Sequence, residues 1–198
     1  MRRTSEQKAE THRRIVETAA KEFRSKGLQG IGIADLMARL GLTHGGFYAH
    51  FKDRDALVRE AAECALHENL SALLSAAESG GKAGEVEAML HYYLQPAHRD
   101  NPARGCTLAA LAAEVARQPR GVRKAFTGLL KSNTSQLAQH MPGGTEALRL
   151  QHAMFLLSGM VGALAISRAI SDPEFSDAWL AAVRDHYVTF FQKLTDDD

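Results

Sequence analysis

Apolar residues recur every three or four positions along almost the whole chain, the spacing of helices that bury one face. Ile15, Val16, Ala19, Ala20 and Phe23 form a stripe that closes near Gly27, and Ile33, Leu36, Met37 and Leu40 form a shorter one that stops at Gly41. Thr43 is placed to cap a third helix with Phe47 and Phe51 inward, and Asp53 to cap a long fourth helix beginning near Arg54. "SGGKAG" at 79–84 reads as a loop and "QPAHRDNPARG" at 95–105 as a further break. Asn101 and Pro102 then read as the N-cap and first position of a helix running through Cys106, Leu108, Leu111, Ala112 and Val115. Pro119 opens the next, with Val122, Phe126, Leu129, Leu130 and Leu137 inward, and "MPGG" at 141–144 ends it. The last two run from about Thr145 to Ile170 and from about Pro173 to Leu194. No segment alternates as a strand does, so the expected fold is all-α with about nine helices: an N-terminal three-helix unit over 1–53 and a larger helical domain over 54–198.

The stretch "GLTHGGFYAHFKDRDAL", Gly41 to Leu57, breaks the rule that a packed helix avoids adjacent glycines. Each costs about 1 kcal/mol against alanine in a helix interior, whereas a surface that another molecule's backbone must approach closely gains from the missing side chains. A helix, a three-residue turn with Gly41, and a second helix held by Leu36, Leu40, Leu42 and Phe47 make a helix-turn-helix arrangement. His44 and Tyr48 lie four apart, opposite the Phe47/Phe51 stripe.

These residues carry a family resemblance. "GIADLMARLGLTHGGFYAHFKDRDALV", residues 32–58, resembles the DNA-binding signature of the TetR family of transcriptional regulators, and the likeness extends over about residues 10–60. The resemblance implies phosphate contacts at Thr43, Tyr48, His50, Lys52 and Arg54, and approach to base edges at His44, Gly45, Gly46 and Ala49. Three positions depart from the family pattern. Gly32 replaces the usual capping Thr or Ser, Met37 replaces a small residue at the helix contact, and Ala34 cannot supply the base contact some members draw from Arg. Readout then leans on the third helix and on an N-terminal arm carrying Arg2 and Arg3 in the minor groove.

The resemblance also implies a C-terminal domain that binds a small-molecule effector and forms a homodimer through its last two helices, usually to repress from a palindromic operator on double-stranded DNA. The residues support the assembly independently. Ser158, Gly159, Gly162 and Ala163 are small residues that permit close helix approach, while Trp179, Val183, His186, Tyr187 and Phe190 stripe the last helix. For the effector, Tyr92, Tyr93, Phe126, Met154, Phe155 and Met160 are cavity candidates, although an apolar or Met-rich helical face is more often plain core. Cys106 within "RGCTLAALAAEVARQ" resembles a segment of a family branch that senses electrophiles or oxidants through a cysteine, so release by thiol modification stands beside release by a small molecule. A small buried hydrophobe is the other reading of that cysteine.

Composition narrows the alternatives. The formal net charge of +1 conceals an asymmetry: residues 1–60 hold twelve Lys and Arg against eight Asp and Glu, and residues 61–198 hold twelve against fifteen. The basic end is the one with the helix-turn-helix, as phosphate binding requires. Cys64 and Cys106 stand far apart, without the spacing of a zinc site or a disulfide framework, so no metal and no cofactor are expected. The run Ala153 to Ile166 falls short of the roughly 20 apolar residues of a membrane span, and the N-terminus has no apolar signal core. The expectation is a cytoplasmic protein without a membrane partner. No nucleophile elbow, metal-binding His pair, phosphate loop or carboxylate pair argues for an enzyme. A helical adaptor making only protein contacts is the other rival class.

Overall fold

The structure, a computed structural model, describes residues 5–196, which form nine α-helices and two short 3-10 segments, with no strand among them. Helix α1 (Ser5–Lys26) ends where Gly27 takes a left-handed φ of 78°, and α2 (Ile33–Arg39) ends at Gly41, φ 68°. Both are conformations that L side chains resist. The N-cap of α2 is Gly32, which makes no side-chain capping bond, as its identity requires. Helix α3 (Arg54–Ser79) is capped by Asp53, whose Oδ1 accepts the Ala56 N–H at 2.8 Å.

The remaining helices are α4 (Gly81–Tyr93), the single-turn α5 (Pro96–Arg99), α6 (Thr107–Val115), α7 (Arg120–Ala138), α8 (Glu146–Ala169) and α9 (Pro173–Asp196). Three expectations are corrected here. The loop expected over 79–84 shrinks to the Gly80–Gly81 junction, where Gly81 has φ 64°. The break at 95–105 contains α5. Asn101 and Pro102 open only a three-residue 3-10 turn, Pro102–Arg104, because Gly105 returns the backbone to an extended conformation and α6 starts two residues later.

Two apolar cores lie along α3. The first joins Ile15, Ala19, Phe23, Leu28, Leu36, Met37, Phe47 and Phe51 to Leu57, Val58, Ala61 and Ala65 of the first half of α3, and also takes Leu111 and Val115 of α6 and Val122 of α7. The second joins Leu73 and Ala77 to Met89, Leu90, Tyr93, Cys106, Leu137, Leu156, Met160 and Leu164. Thus α3 and α6 each begin or end in both cores, and the N-terminal unit is sealed by residues well beyond position 53.

Helix α8 is, by length and composition, apolar enough to cross a bilayer, so the estimate from its central run alone fell short. It packs here against α7 and α9, with Leu156, Met160 and Leu164 fully buried.

Candidate nucleic-acid interface and inner cavity

The segment expected as a recognition α-helix is a six-residue 3-10 helix, His44–Ala49. It is short, and two glycines weaken any longer helical run. Thr43 caps it, Oγ1 accepting the Gly46 N–H at 3.3 Å. Phe47 and Phe51 are buried and stacked with ring centroids 5.2 Å apart, which pins the segment to the first core. The opposite side faces out. Tyr48 is 61% exposed, its ring edge-on to His44 at 5.9 Å, and Thr43, His44, Gly45, Ala49 and Lys52 are also exposed. A Cβ built on Gly45 meets nothing within 4 Å, and one on Gly46 meets Met37 Cε at 3.7 Å, an ordinary contact. Gly46 is therefore not needed to make room for Met37, which is fully buried in its own right.

Two expected contacts differ. His50 is half-buried, 5.8 Å ring to ring from His12, which stacks on Phe51 and holds Glu60 through Nε2 at 2.6 Å. Arg54 is turned inward: its Nη2 donates to the carbonyls of Leu28 and, at 3.1 Å, of Ile31, and its guanidinium lies 5.6 Å from the Phe23 ring centroid. A side chain at the start of α3 reaches these carbonyls because the α1–α2 turn folds over the helix end. Arg2 and Arg3 lie outside the described residues.

In the second core a small cavity, about 50 Å³, is lined by Leu66, Leu70, Leu73, Leu108, Leu137 and Leu157, with Asn69, Asn133, Tyr93 and Cys106 as its polar members. Tyr93 is 5% exposed and its hydroxyl has no hydrogen-bonding oxygen or nitrogen partner. Burial, and then the neighbouring Cys106 thiol, push its pKa well above the ordinary phenol range, so it stays protonated. Cys106 stands at the N-cap of α6, one turn earlier in the helix than the sequence suggested. Its N–H donates to His98 Nε2 at 3.0 Å, while His98 Nδ1 faces the Tyr93 carbonyl at 2.8 Å, which fixes the neutral Nδ1–H form of the imidazole. Burial lowers the His98 pKa below the ordinary histidine value, in keeping with that neutral form. Asn69 of α3 accepts both the N–H and the Oγ1–H of Thr107 at 2.7 Å and donates to the Gly105 carbonyl at 3.0 Å. Arg168 donates to the carbonyls of Arg99 and His98 and makes no salt bridge among the described residues.

Of the other cavity candidates, Phe126 packs on the first core, Met160 is solid core, and Tyr92 is exposed. Met154 and Phe155, 53% and 47% exposed, point out from α8. Helical spacing alone could not separate these faces, since all sides of α8 are apolar. Asn69, His98 and Arg168 were missed. Asn69 left the only usable signal, a polar residue on the otherwise apolar Leu66, Leu70, Leu73 stripe.

Phe155 belongs instead to an uncovered apolar face. It stacks on Tyr187 at 4.9 Å and lies 5.2 Å from Phe190; with Met154, Ile166 and Phe175 these exposed apolar side chains all come from α8 and α9. Gly162 is half-exposed with open space where a Cβ would stand, and Ser158 is exposed; Trp179 and Val183 are half-buried, and Ala163 is buried within the chain. Gly159 serves a contact inside the chain: Tyr187 Oη lies 1.8 Å from the position of an added Cβ.

Comparison with known proteins agrees with this architecture. The family model described as bacterial regulatory proteins, tetR family, matches residues 15–61, and that of the tetracyclin repressor-like C-terminal domain matches residues 84–183. The HTH-type transcriptional regulator TtgR of Pseudomonas putida is 33% identical over 95 residues, 48% of this chain and 45% of that one, so the chain spans under half of that relative's length. The HTH-type transcriptional repressor NemR of Escherichia coli is 24% identical over 143 residues, 69% of this chain and 70% of NemR. Among solved structures, a TetR transcriptional regulator from Chloroflexus aurantiacus superposes with a TM-score of 0.75 at 20% identity, covering 93% of this chain and 96% of that one. Reduced E. coli NemR superposes with 0.67 at 23% identity, covering 89% and 96%. With a helix-turn-helix segment pinned by Phe47 and Phe51, a second helical core behind it, and both regions matched by the corresponding family models, the chain belongs to the TetR family of bacterial regulatory proteins.

Proposed function

We propose that this protein is a ligand-responsive, DNA-binding transcriptional regulator, a repressor that works as a homodimer in the cytoplasm and not as an enzyme. The observation that carries the reading is the outward face of Thr43, His44, Gly45, Tyr48, Ala49 and Lys52 on a segment whose other side is locked into the core. Such a segment presents donors, a ring and bare backbone to a groove without moving. The uncovered α8/α9 face supplies the dimer surface, which sets two reading segments a fixed distance apart for two half-sites.

The effector acts at the cavity behind α6. At about 50 Å³ it is far below the 300–1,000 Å³ of a drug-sized site, so a ligand enters by moving α3, α6 or α7 apart. Its lining favours an uncharged, mainly apolar compound with an acceptor for the Tyr93 hydroxyl. Thiol modification is a second route, suggested by the placement of Cys106 at the N-terminus of α6 in the cavity wall. Burial, and then Glu68, raise the pKa of the other cysteine, Cys64.

Fluorescence anisotropy with a duplex from the chain's own upstream region tests the reading. Specific, strongly salt-dependent binding of a dimer to a palindrome is expected. Binding that ignores sequence, or none, would favour the adaptor alternative.

A further inference from the structure

Leu28, in the turn between α1 and α2, is held from two directions. Its N–H donates to Glu114 Oε2 at 2.7 Å, and its carbonyl accepts from Arg54 Nη2. Glu114 lies in the last turn of α6, makes no salt bridge among the described residues, and approaches so closely that a Cβ on Gly27 would stand 2.5 Å from its Oε1. Arg54 is the first residue of α3. Leu28 itself is 1% exposed, so neither bond is readily replaced by water.

The middle of α3 and the start of α6 line the cavity, together with residues of α4, α7 and α8. Leu66, Asn69, Leu70 and Leu73 come from α3; Cys106 and Leu108 come from the start of α6, and Asn69 ties the helices together at Thr107. Helix α6 has nine residues, about 13 Å of rigid rise. A group forced between α3 and α6 at the cavity therefore shifts one helix relative to the other, and the difference arrives at the backbone N–H and C=O of one buried residue, Leu28. The turn so held leads directly into α2, which packs on the reading segment.

We infer that Glu114 is the positioning residue through which the cavity sets the place of the DNA-reading segment, by way of its hydrogen bond to the Leu28 N–H, with Arg54 as the fixed point against which that bond works. The inference rests on the proposed function, in which cavity and DNA exclude each other.

The test uses Cys106 as the reporter, in full-length protein with Cys64→Ser. Iodoacetamide alkylates Cys106 as its thiolate sulfur displaces iodide, the thiol proton passing to buffer; intact mass follows the rate with and without a duplex that the protein binds. With the turn held in its DNA-bound place the cavity is closed around Cys106, so bound DNA is expected to slow alkylation, by about fivefold or more. Glu114→Ala brings that ratio close to one, whereas Glu114→Gln, which keeps an acceptor oxygen, retains most of it. A merely structural role would weaken DNA binding in Glu114→Ala yet leave the ratio intact, and that result overturns the inference. Should Glu114→Ala not fold, amide exchange on the unsubstituted Glu114 protein decides: alkylating Cys106 must speed exchange of the Leu28 amide about tenfold or more, and unchanged exchange overturns the inference. That measurement needs no DNA, so a failure to bind any duplex sinks the proposed function separately.

Discussion

Arg54→Ala separates a DNA contact from a structural one. A lysine or arginine that neutralises one phosphate contributes about 0.9 to the slope of log affinity against log salt. Arg54 is engaged elsewhere: one guanidinium nitrogen serves the carbonyls of the buried residues Leu28 and Ile31, with Phe23 beneath. Hydrogen bonds from charged donors are worth about 1.5–3 kcal/mol each. Here the two share one nitrogen on a half-buried side chain, and water can reach part of the vacated site, so the lower end of that range for the pair together, roughly 2 kcal/mol, is the reasonable figure. For a chain of 198 residues this lowers the melting temperature by about 4–8 °C. Lys52, exposed beside Tyr48, should behave the opposite way. Calorimetry and anisotropy titrations at several salt concentrations on Arg54→Ala and Lys52→Ala check both. Arg54→Ala should melt earlier with its salt slope unchanged, and Lys52→Ala should melt normally with the slope about one unit shallower. An Arg54→Ala protein that keeps its melting temperature and loses a unit of slope would refute the assignment.

Gly162→Trp fills open space on the α8/α9 face, so it should leave the monomer folded, give a one-chain mass by light scattering, and abolish specific DNA binding. Gly159→Ala instead drives Tyr187 off Phe155 and should cost about 1–3 kcal/mol of stability, read by urea unfolding. His44→Ala should change the preferred bases more than general affinity, and Tyr48→Phe should weaken binding to all sequences alike; selection from a random library followed by titration distinguishes them. His98 has a lowered pKa in the fold, so the unfolded chain binds the proton more readily; its contribution to stability is present above about pH 6.5 and is lost as the pH falls below that value. Melting temperatures measured from pH 8 to pH 5 should fall more steeply for the wild type than for His98→Gln.

Much of this molecule is written locally. The stripe Ile15, Ala19, Phe23, the stop signals at Gly27 and Gly41, the caps at Thr43 and Asp53, and the outward pairing of His44 with Tyr48 depend on neighbours within a turn or two, so periodicity and cap chemistry determine them. The absence of a capping side chain at Gly32 was equally legible. What the sequence left undecided were choices between the uses of apolar helix faces, above all on α8, whose central run is apolar on nearly every side. Phe155 and Met154 on α8, and Phe126 on α7, have the same spacing whether they line a cavity, a core or a free surface; only the packing of α8 on α7 and α9, and of α7 on α3, turned two outward and one toward the first core. Cys106 moved to a helix start because Gly105, crowded by Arg168, ends the preceding turn, a constraint 63 residues distant in the chain. Long-range polar pairs are the extreme case. Glu114 and Leu28 are 86 residues apart, and neither carries a local mark of the other, since a surface glutamate and a core leucine have ordinary side chains until the fold lays α6 across the α1–α2 turn. Arg54 was legible as a cation next to the reading segment but not as an inward one, because the carbonyls that claim it belong to a turn more than 20 residues earlier. The sequence thus determined the elements and the face proposed to read DNA; the tertiary structure decided which polar atoms meet in burial, where leaving any of them unpaired is costly.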